Sequence, residues 1–185
     1  MWLCWLALSA EAQDPTGEHG RLGSELVKLA QRNTWSGVER TYRSLVALGV
    51  PLTPQQHLLG AQAALTTGET LLAAWRLRRV PGEAQAGASA ADVDAVATAA
   101  SLRETIAARY GLVSVYVGQG SVPALFRDDM PFAQQEQDSI TAAQRTVGTT
   151  RAFAGLLPVG TYRIDAETFT VEPGPDWLVV AVGAR

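Results

Sequence analysis

His19 and His57 are the only imidazoles in this 185-residue chain, and Cys4 is its only thiol. A zinc centre needs three or four ligands held together. His57 has Gly60 and Ala61 where a helical partner ligand would stand, and His19 lies in a run of turn-formers. These histidines do not compose a metal centre, and His57 reads as a partly exposed helix residue. Asp128 and Asp129, with Glu136 and Asp138, are the other group that invites chemistry. Converging carboxylates can perform acid–base work or bind calcium. Adjacent side chains on a loop diverge, however, so solubility and helix N-terminal charge are the simpler reading. Gly120-Ser121 is not a Gly-x-Ser-x-Gly elbow, and no His is placed to activate it. Gly118-x-Gly120 has no third glycine and no following helix, which leaves dinucleotide binding unsupported. No catalytic residue, cofactor or metal ligand is assigned on these grounds.

Hydrophobic residues make up 47% of the chain and charged ones 18%, a balance that supports a buried core. A formal net charge of −3 argues against nucleic acid, whose phosphates call for a basic surface. The charge is uneven. Residues 21–80 hold eight bases against three acids, a net of +5, and residues 81–185 hold seven against twelve, a net of −5. The plain reading is two solvated faces. The sharper ones are that the halves attract each other, or that Arg76, Arg78 and Arg79 form a patch for an anionic partner.

Met1 to Leu8 is an apolar run, and Ala10-Glu11-Ala12 supplies small residues before Gln13. That pattern predicts a signal peptide over residues 1–12, with a buried helix or an anchor as alternatives. The run is far short of the ~20 apolar residues that span a bilayer. Removal after Ala12 would leave a mature chain without cysteine or a membrane span, exported to the periplasm or outer envelope.

Residues 13–20 predict a flexible leader. From Leu22 the spacing becomes helical: Leu22, Leu26 and Leu29 share one face, and Val38, Tyr42, Leu45 and Val46 share another on Ser36–Leu48. Thr53-Pro54-Gln55-Gln56 predicts a capping box, with Pro54 in the first turn. Leu72, Trp75 and Leu77 are placed inside a short helix from Glu69 to Arg79. A long Ala-rich helix follows over Ser89–Tyr110, with Val93, Val96, Leu102 and Ile106 as a thin stripe. Past Gly111 the period becomes two, with Val113, Val115 and Val117 on one strand face. Val122–Phe126 is expected as an edge strand, because Pro123 cannot donate to a ladder. Residues 132–147 return to helical spacing and bury Phe132, Ile140, Ala143 and Val147. Residues 160–171 form a hairpin, and Trp177–Val182 is a last, nearly all-apolar strand.

Trp35, Val38 and Tyr42 have spacings that resemble the opening of the tetratricopeptide repeat, with Glu39 where that repeat has a small residue. Gly60, Ala61, Ala63, Ala64, Gly68 and Ala73-Ala74 continue the likeness as about two degenerate repeats. Pro158-Val159-Gly160-Thr161-Tyr162, followed by Phe169 to Gly174, is similar to the hairpin of PEGA-like and carboxypeptidase-regulatory-like β modules. In those modules the Tyr packs inside a sandwich. Together the two halves look like uncharacterised exported proteins of Gram-negative bacteria, which implies an envelope location and protein contact rather than catalysis.

The expectation is thus an α+β chain. A TPR-like antiparallel helical domain occupies residues 21–110, and residues 111–185 form a sandwich-like β module of about five strands with one inserted helix. Two repeats are below the number that stands alone, so the β module should complete the helical core. The expected function is non-catalytic scaffolding with another envelope protein as partner, through Trp35, Trp75, Arg76, Arg78 and Arg79. Two alternatives stand beside it. One is glycan binding by Tyr116, Tyr162 or Trp177, and the other is a divergent enzyme joining His57 to Asp128 and Asp129.

Overall fold

A computed structural model describes residues 15–183; the signal peptide expected over residues 1–12 lies outside them. The first helix, α1 (Pro15–Gln31), opens on a proline, which is tolerated where helix N–H groups lack partners. Arg21 bridges Glu18 at 2.7 Å and Glu25 at 3.2 Å, one helical turn to either side. Residues 15–20 are therefore helical and not a flexible leader: the acid–base–acid spacing supports the turn that the glycines weaken. Asn33, at φ 54°, ends the turn into α2 (Trp35–Ala47).

Helix α3 (Pro54–Thr66) begins at the expected capping box, with Thr53 Oγ1 accepting from the Gln56 amide at 3.2 Å and Gln56 Oε1 from the Thr53 amide at 2.9 Å. Helix α4 (Thr70–Leu77) is short. Helix α5 (Ala90–Arg109) is capped by Ser89, whose hydroxyl accepts from the Asp92 amide. Val93 falls outside its buried stripe, which runs through Ala95, Val96, Ala99 and Ile106.

Six strands and one more helix follow: β1 (Tyr110–Val117), β2 (Leu125–Phe126), α6 (Gln134–Thr150), β3 (Ala152–Pro158), β4 (Gly160–Ile164), β5 (Glu167–Val171) and β6 (Gly174–Val182). They form two three-stranded sheets, ordered β3-β1-β6 and β2-β4-β5. Strand β1 is central, antiparallel to β3 and parallel to β6. The chain is thus α+β. The strand expected at 122–126 keeps only Leu125 and Phe126, since Pro123 lacks the amide a longer ladder needs. Strand β3 was not expected, and Phe132 precedes α6, fully exposed, rather than lying on its buried side.

Three buried clusters organise this body. Leu22, Leu26, Val38, Tyr42 and Leu45 pack α1 and α2 against Ala63 of α3. The inward residues Val113, Val115 and Val117 of β1 meet Ile140, Ala143 and Val147 of α6 and Tyr162, Ile164 and Val171 of the hairpin. The third cluster runs from Leu58 and Leu65 through Leu77, Val96 and Ile106 to Tyr110 and Leu156, with Leu112 against it. The helices α3 to α5 therefore close their core on β1 and β3. At the same junction, a Cβ added at Gly68 would stand 2.3 Å from the Asp138 carbonyl of α6. Thr70 and Ser139 hydroxyls meet at 2.6 Å; Ser139 donates to the Gln135 carbonyl, so Thr70 donates to Ser139. Among the described residues no ion pair joins residues 21–80 to residues 81–185, and the Asp92 carboxylate accepts from the Gln55 amide at 3.3 Å. No helix among these residues is long and apolar enough to cross a membrane.

Candidate functional site

The outer face of β3-β1-β6 is where helices and sheet fail to close completely. The register sets Leu112 of β1 between Leu156 of β3 and Trp177 of β6, a row of three apolar side chains across the sheet. Helices α4 and α5 stand over this row and leave a groove of about 700 Å³. Leu71, Ala74, Trp75 and Arg78 of α4 line one wall, Arg103, Ile106 and Ala107 of α5 another, and Gly174, Pro175 and Trp177 of β6 the far end. A second hollow of about 520 Å³ shares Leu71, Trp75 and Leu156 and continues toward Phe153 and α6. Trp75 is 52% exposed and Trp177 48%, which is high for side chains that cores normally absorb. This volume and apolar lining are those of binding clefts.

Two arginines, Arg78 and Arg103, line the groove. Arg79, outside its lining, lies over the Trp75 ring, 3.8 Å from its centroid. Arg103 donates to the Leu77 and Val80 carbonyls at 3.0 and 3.1 Å, orienting its guanidinium without neutralising it. Arg78 is exposed. Among the described residues none of these three arginines is in an ion pair, and no acidic side chain lines the groove.

Arg76 belongs elsewhere. Its side chain is 4% exposed, and it grips both Glu39 oxygens at 2.5 and 2.8 Å. It also donates to the Gly60 carbonyl at 2.6 Å and lies 4.4 Å from the Tyr42 ring centroid. Arg76 therefore fastens α4 to α2 and α3 and is no part of a surface patch with Arg78 and Arg79. The Arg76 guanidinium holds the Glu39 carboxyl below its usual range, with burial opposing and Arg43 assisting. Trp35, half-buried, packs against the α1–α2 cluster. Of the five expected interaction residues, Trp75, Arg78 and Arg79 are at or beside the groove. Trp75 is not inside its helix packing, because the α4 face that closes the core carries Ala73, Arg76 and Leu77.

The residues with chemical potential stay apart. His57 Nδ1 meets the Tyr42 hydroxyl at 3.0 Å, and burial, then Arg79, push its pKa down. Asp128 and Asp129 are exposed beyond β2, and neither groove lining includes them or His57. Glu136 is buried and pairs with Arg109 at 2.7 Å, tying the end of α5 to the start of α6. Asp138 accepts from Gln134 one turn away. Among the described residues no three His, Cys, Asp or Glu side chains gather to hold a metal ion. Of the aromatic trio considered for sugar stacking, Tyr162 is 1% exposed: its hydroxyl donates to the Pro158 carbonyl at 2.7 Å and accepts from Arg127. Tyr116 and Trp177 are exposed.

Sequence reasoning missed Leu71, Arg103, Leu112 and Leu156 as groove residues. Their juxtaposition depends on the β3-β1-β6 register, which no local signal carries. Compared with protein-family models, curated proteins and solved structures, the chain matches none.

Proposed function

We propose that this chain is a non-catalytic protein-interaction module of a bacterial cell envelope, and that the groove between α4, α5 and the sheet receives its partner. The observation that carries the reading is the pairing of two half-exposed tryptophans, Trp75 and Trp177, with arginines that lack carboxylate partners. Trp and Arg dominate binding energy where a partner excludes water from them. In this reading α1–α2 and α3–α4 are two degenerate tetratricopeptide-like repeats. Gly60 supports that, since a Cβ there would stand 2.4 Å from the Tyr42 ring, so close helix approach depends on the missing side chain. The two sheets with α6 are likewise a PEGA-like sandwich, a reading supported by Tyr162 buried and stacked on Phe169 with centroids 5.7 Å apart. Export rests on the apolar N-terminal run and its small-residue ending.

The test is capture from a bacterial envelope fraction on immobilised wild-type chain, beside a Trp75→Ala/Trp177→Ala variant checked for unchanged unfolding. A cost of about 2 kcal/mol per hot spot is ~30-fold for each anchor, so loss of both should weaken the identified partner by roughly 700-fold. Equal capture by the variant contradicts the assignment. A second reading, binding of a cell-wall glycan, is favoured by Tyr116 and Trp177, both exposed on the outer sheet face. Cosedimentation with peptidoglycan that Tyr116→Ala abolishes, without any captured protein, would select it.

A further inference from the structure

Strand β6 is an edge, and its free side has a distinctive order. The Gly118 amide donates to the Val182 carbonyl at 2.7 Å, so Val182 turns its backbone toward β1. With period two, Val180 and Leu178 do the same, and Trp177, Val179 and Ala181 present N–H and C=O groups outward. The side chains of these three also lie on the outer face; Val179 is 64% exposed, whereas Leu178 and Val180 pack against the inner core. Natural edges are guarded by Lys, Pro, bulges or covering elements. The opposite edge, β3, lies against α4 and α6, while outside its own sheet β6 meets α5 and β5 in few places and its residues from Gly174 to Trp177 are exposed. Pro175, Asp176 and a break in register guard only its start, and from Trp177 to Val182 there is no charge and no proline.

We propose that two copies of this chain associate through β6, antiparallel about a two-fold axis at Val179, joining the β3-β1-β6 sheets into one continuous sheet. The register follows from the outward groups. Val179 faces its own symmetry mate, and Trp177 faces Ala181 of the second copy, so all three outward residues fall in hydrogen-bonded pairs that each exchange two bonds. The side chains are self-complementary, as two-fold contacts must be: the large Trp177 stands over the small Ala181. Charge permits it too. The only charged residue between Gly174 and Gly183 is Asp176, which lies in the register break before Trp177; the two Trp177 positions are about 13 Å apart along the strands, and the aspartates lie beyond them. This inference shares Trp177 with the groove reading, but its axis at Val179 and its partner Ala181 line neither hollow, so the Val179 variants test it separately.

The experiment uses the full chain with Cys4→Ser and measures mass by light scattering across a concentration series. Twice the chain mass is expected. Val179→Pro removes the outward amide at the axis, where an edge strand tolerates proline, and should give the single-chain mass. Val179→Cys should cross-link under mild oxidation, because hydrogen-bonded pairs hold Cα atoms about 5.5 Å apart, inside disulfide range. Tyr116→Cys is similarly exposed but one strand in and, paired with Ala181, two residues off the axis; three strand spacings and a four-residue offset put it about 20 Å from its mate, and it should not cross-link. If Val179→Pro does not fold, the two cysteine variants decide. Single-chain mass at every concentration overturns the proposal. So does a dimer that Val179→Pro leaves intact, or one that Tyr116→Cys cross-links as well as Val179→Cys.

Discussion

Substituting Glu39 tests whether Arg76 is part of the fold or of the binding surface. Glu39→Gln removes the compensating charge and leaves the Arg76 guanidinium, 4% exposed, with a neutral amide oxygen, the Gly60 carbonyl and the Tyr42 ring as partners. Breaking a buried ion pair from one side costs about 3–5 kcal/mol, because a charge is stranded away from water. Glu39 is 15% exposed and still has Arg43 at 2.6 Å if Arg76 is removed. Glu39→Gln should therefore cost about 3 kcal/mol, near the lower end of that range, and Arg76→Met less. For a chain of this size that is a melting-temperature drop of roughly 6–12 °C for Glu39→Gln. The pair Glu39→Leu/Arg76→Met removes both charges together and should recover most of the loss. Urea unfolding followed by tryptophan fluorescence, arranged as a double-mutant cycle, measures the coupling. Single-substitution costs below ~1 kcal/mol would mark the pair as an ordinary surface bridge and refute the assignment of Arg76 to the interior.

Gly60→Ala places a methyl 2.4 Å from the Tyr42 ring and should cost about 1–3 kcal/mol in urea unfolding, while Ala at solvent-facing Gly120 should not. Acid should destabilise the protein in two steps. His57, its pKa lowered by burial, refuses a proton that the unfolded chain accepts below the ordinary 6.5, so stability falls as pH drops from there; His57→Gln should flatten that step. The Glu39 carboxyl, held low by Arg76, adds a second loss as pH falls from the ordinary 4.5 through its folded value. At the alkaline end burial pushes Tyr162 up to about 12, so its contribution is full below pH 10 and is lost as pH rises through about 12; ultraviolet titration of phenolate with wild-type and Tyr162→Phe identifies that step.

Local signals in the sequence carried far. The capping box of α3 is written in four consecutive residues, and the alternation of Val113, Val115 and Val117 depends on one strand alone, so both were legible. Strand β3 was not. Its Ala-Phe-Ala-Gly-Leu-Leu-Pro sequence mixes a glycine and a terminal proline with weak alternation, and its strand state comes from pairing with β1 forty residues earlier in the chain. Trp177–Val182 is the nearly all-apolar strand expected, yet β6 has a partner on one side only and keeps Val179 exposed. Arg76 resembled its neighbours Arg78 and Arg79 because the carboxylate that buries it lies on α2, invisible to any window around α4. The candidate site was half legible for the same reason: Trp75 was singled out, but the groove exists only once Leu112, Leu156 and Trp177 are aligned by the sheet.

The helical half closes its core, and forms its groove, on the sheet. The direct measurement is unfolding of residues 13–110 alone, monitored by circular dichroism and tryptophan fluorescence beside the whole chain. Without Leu112 and Leu156 against α4 and α5, and without Ser139 to receive Thr70, the fragment should show reduced helicity and a broad, non-cooperative transition. A sharp two-state transition with full helicity would contradict the account.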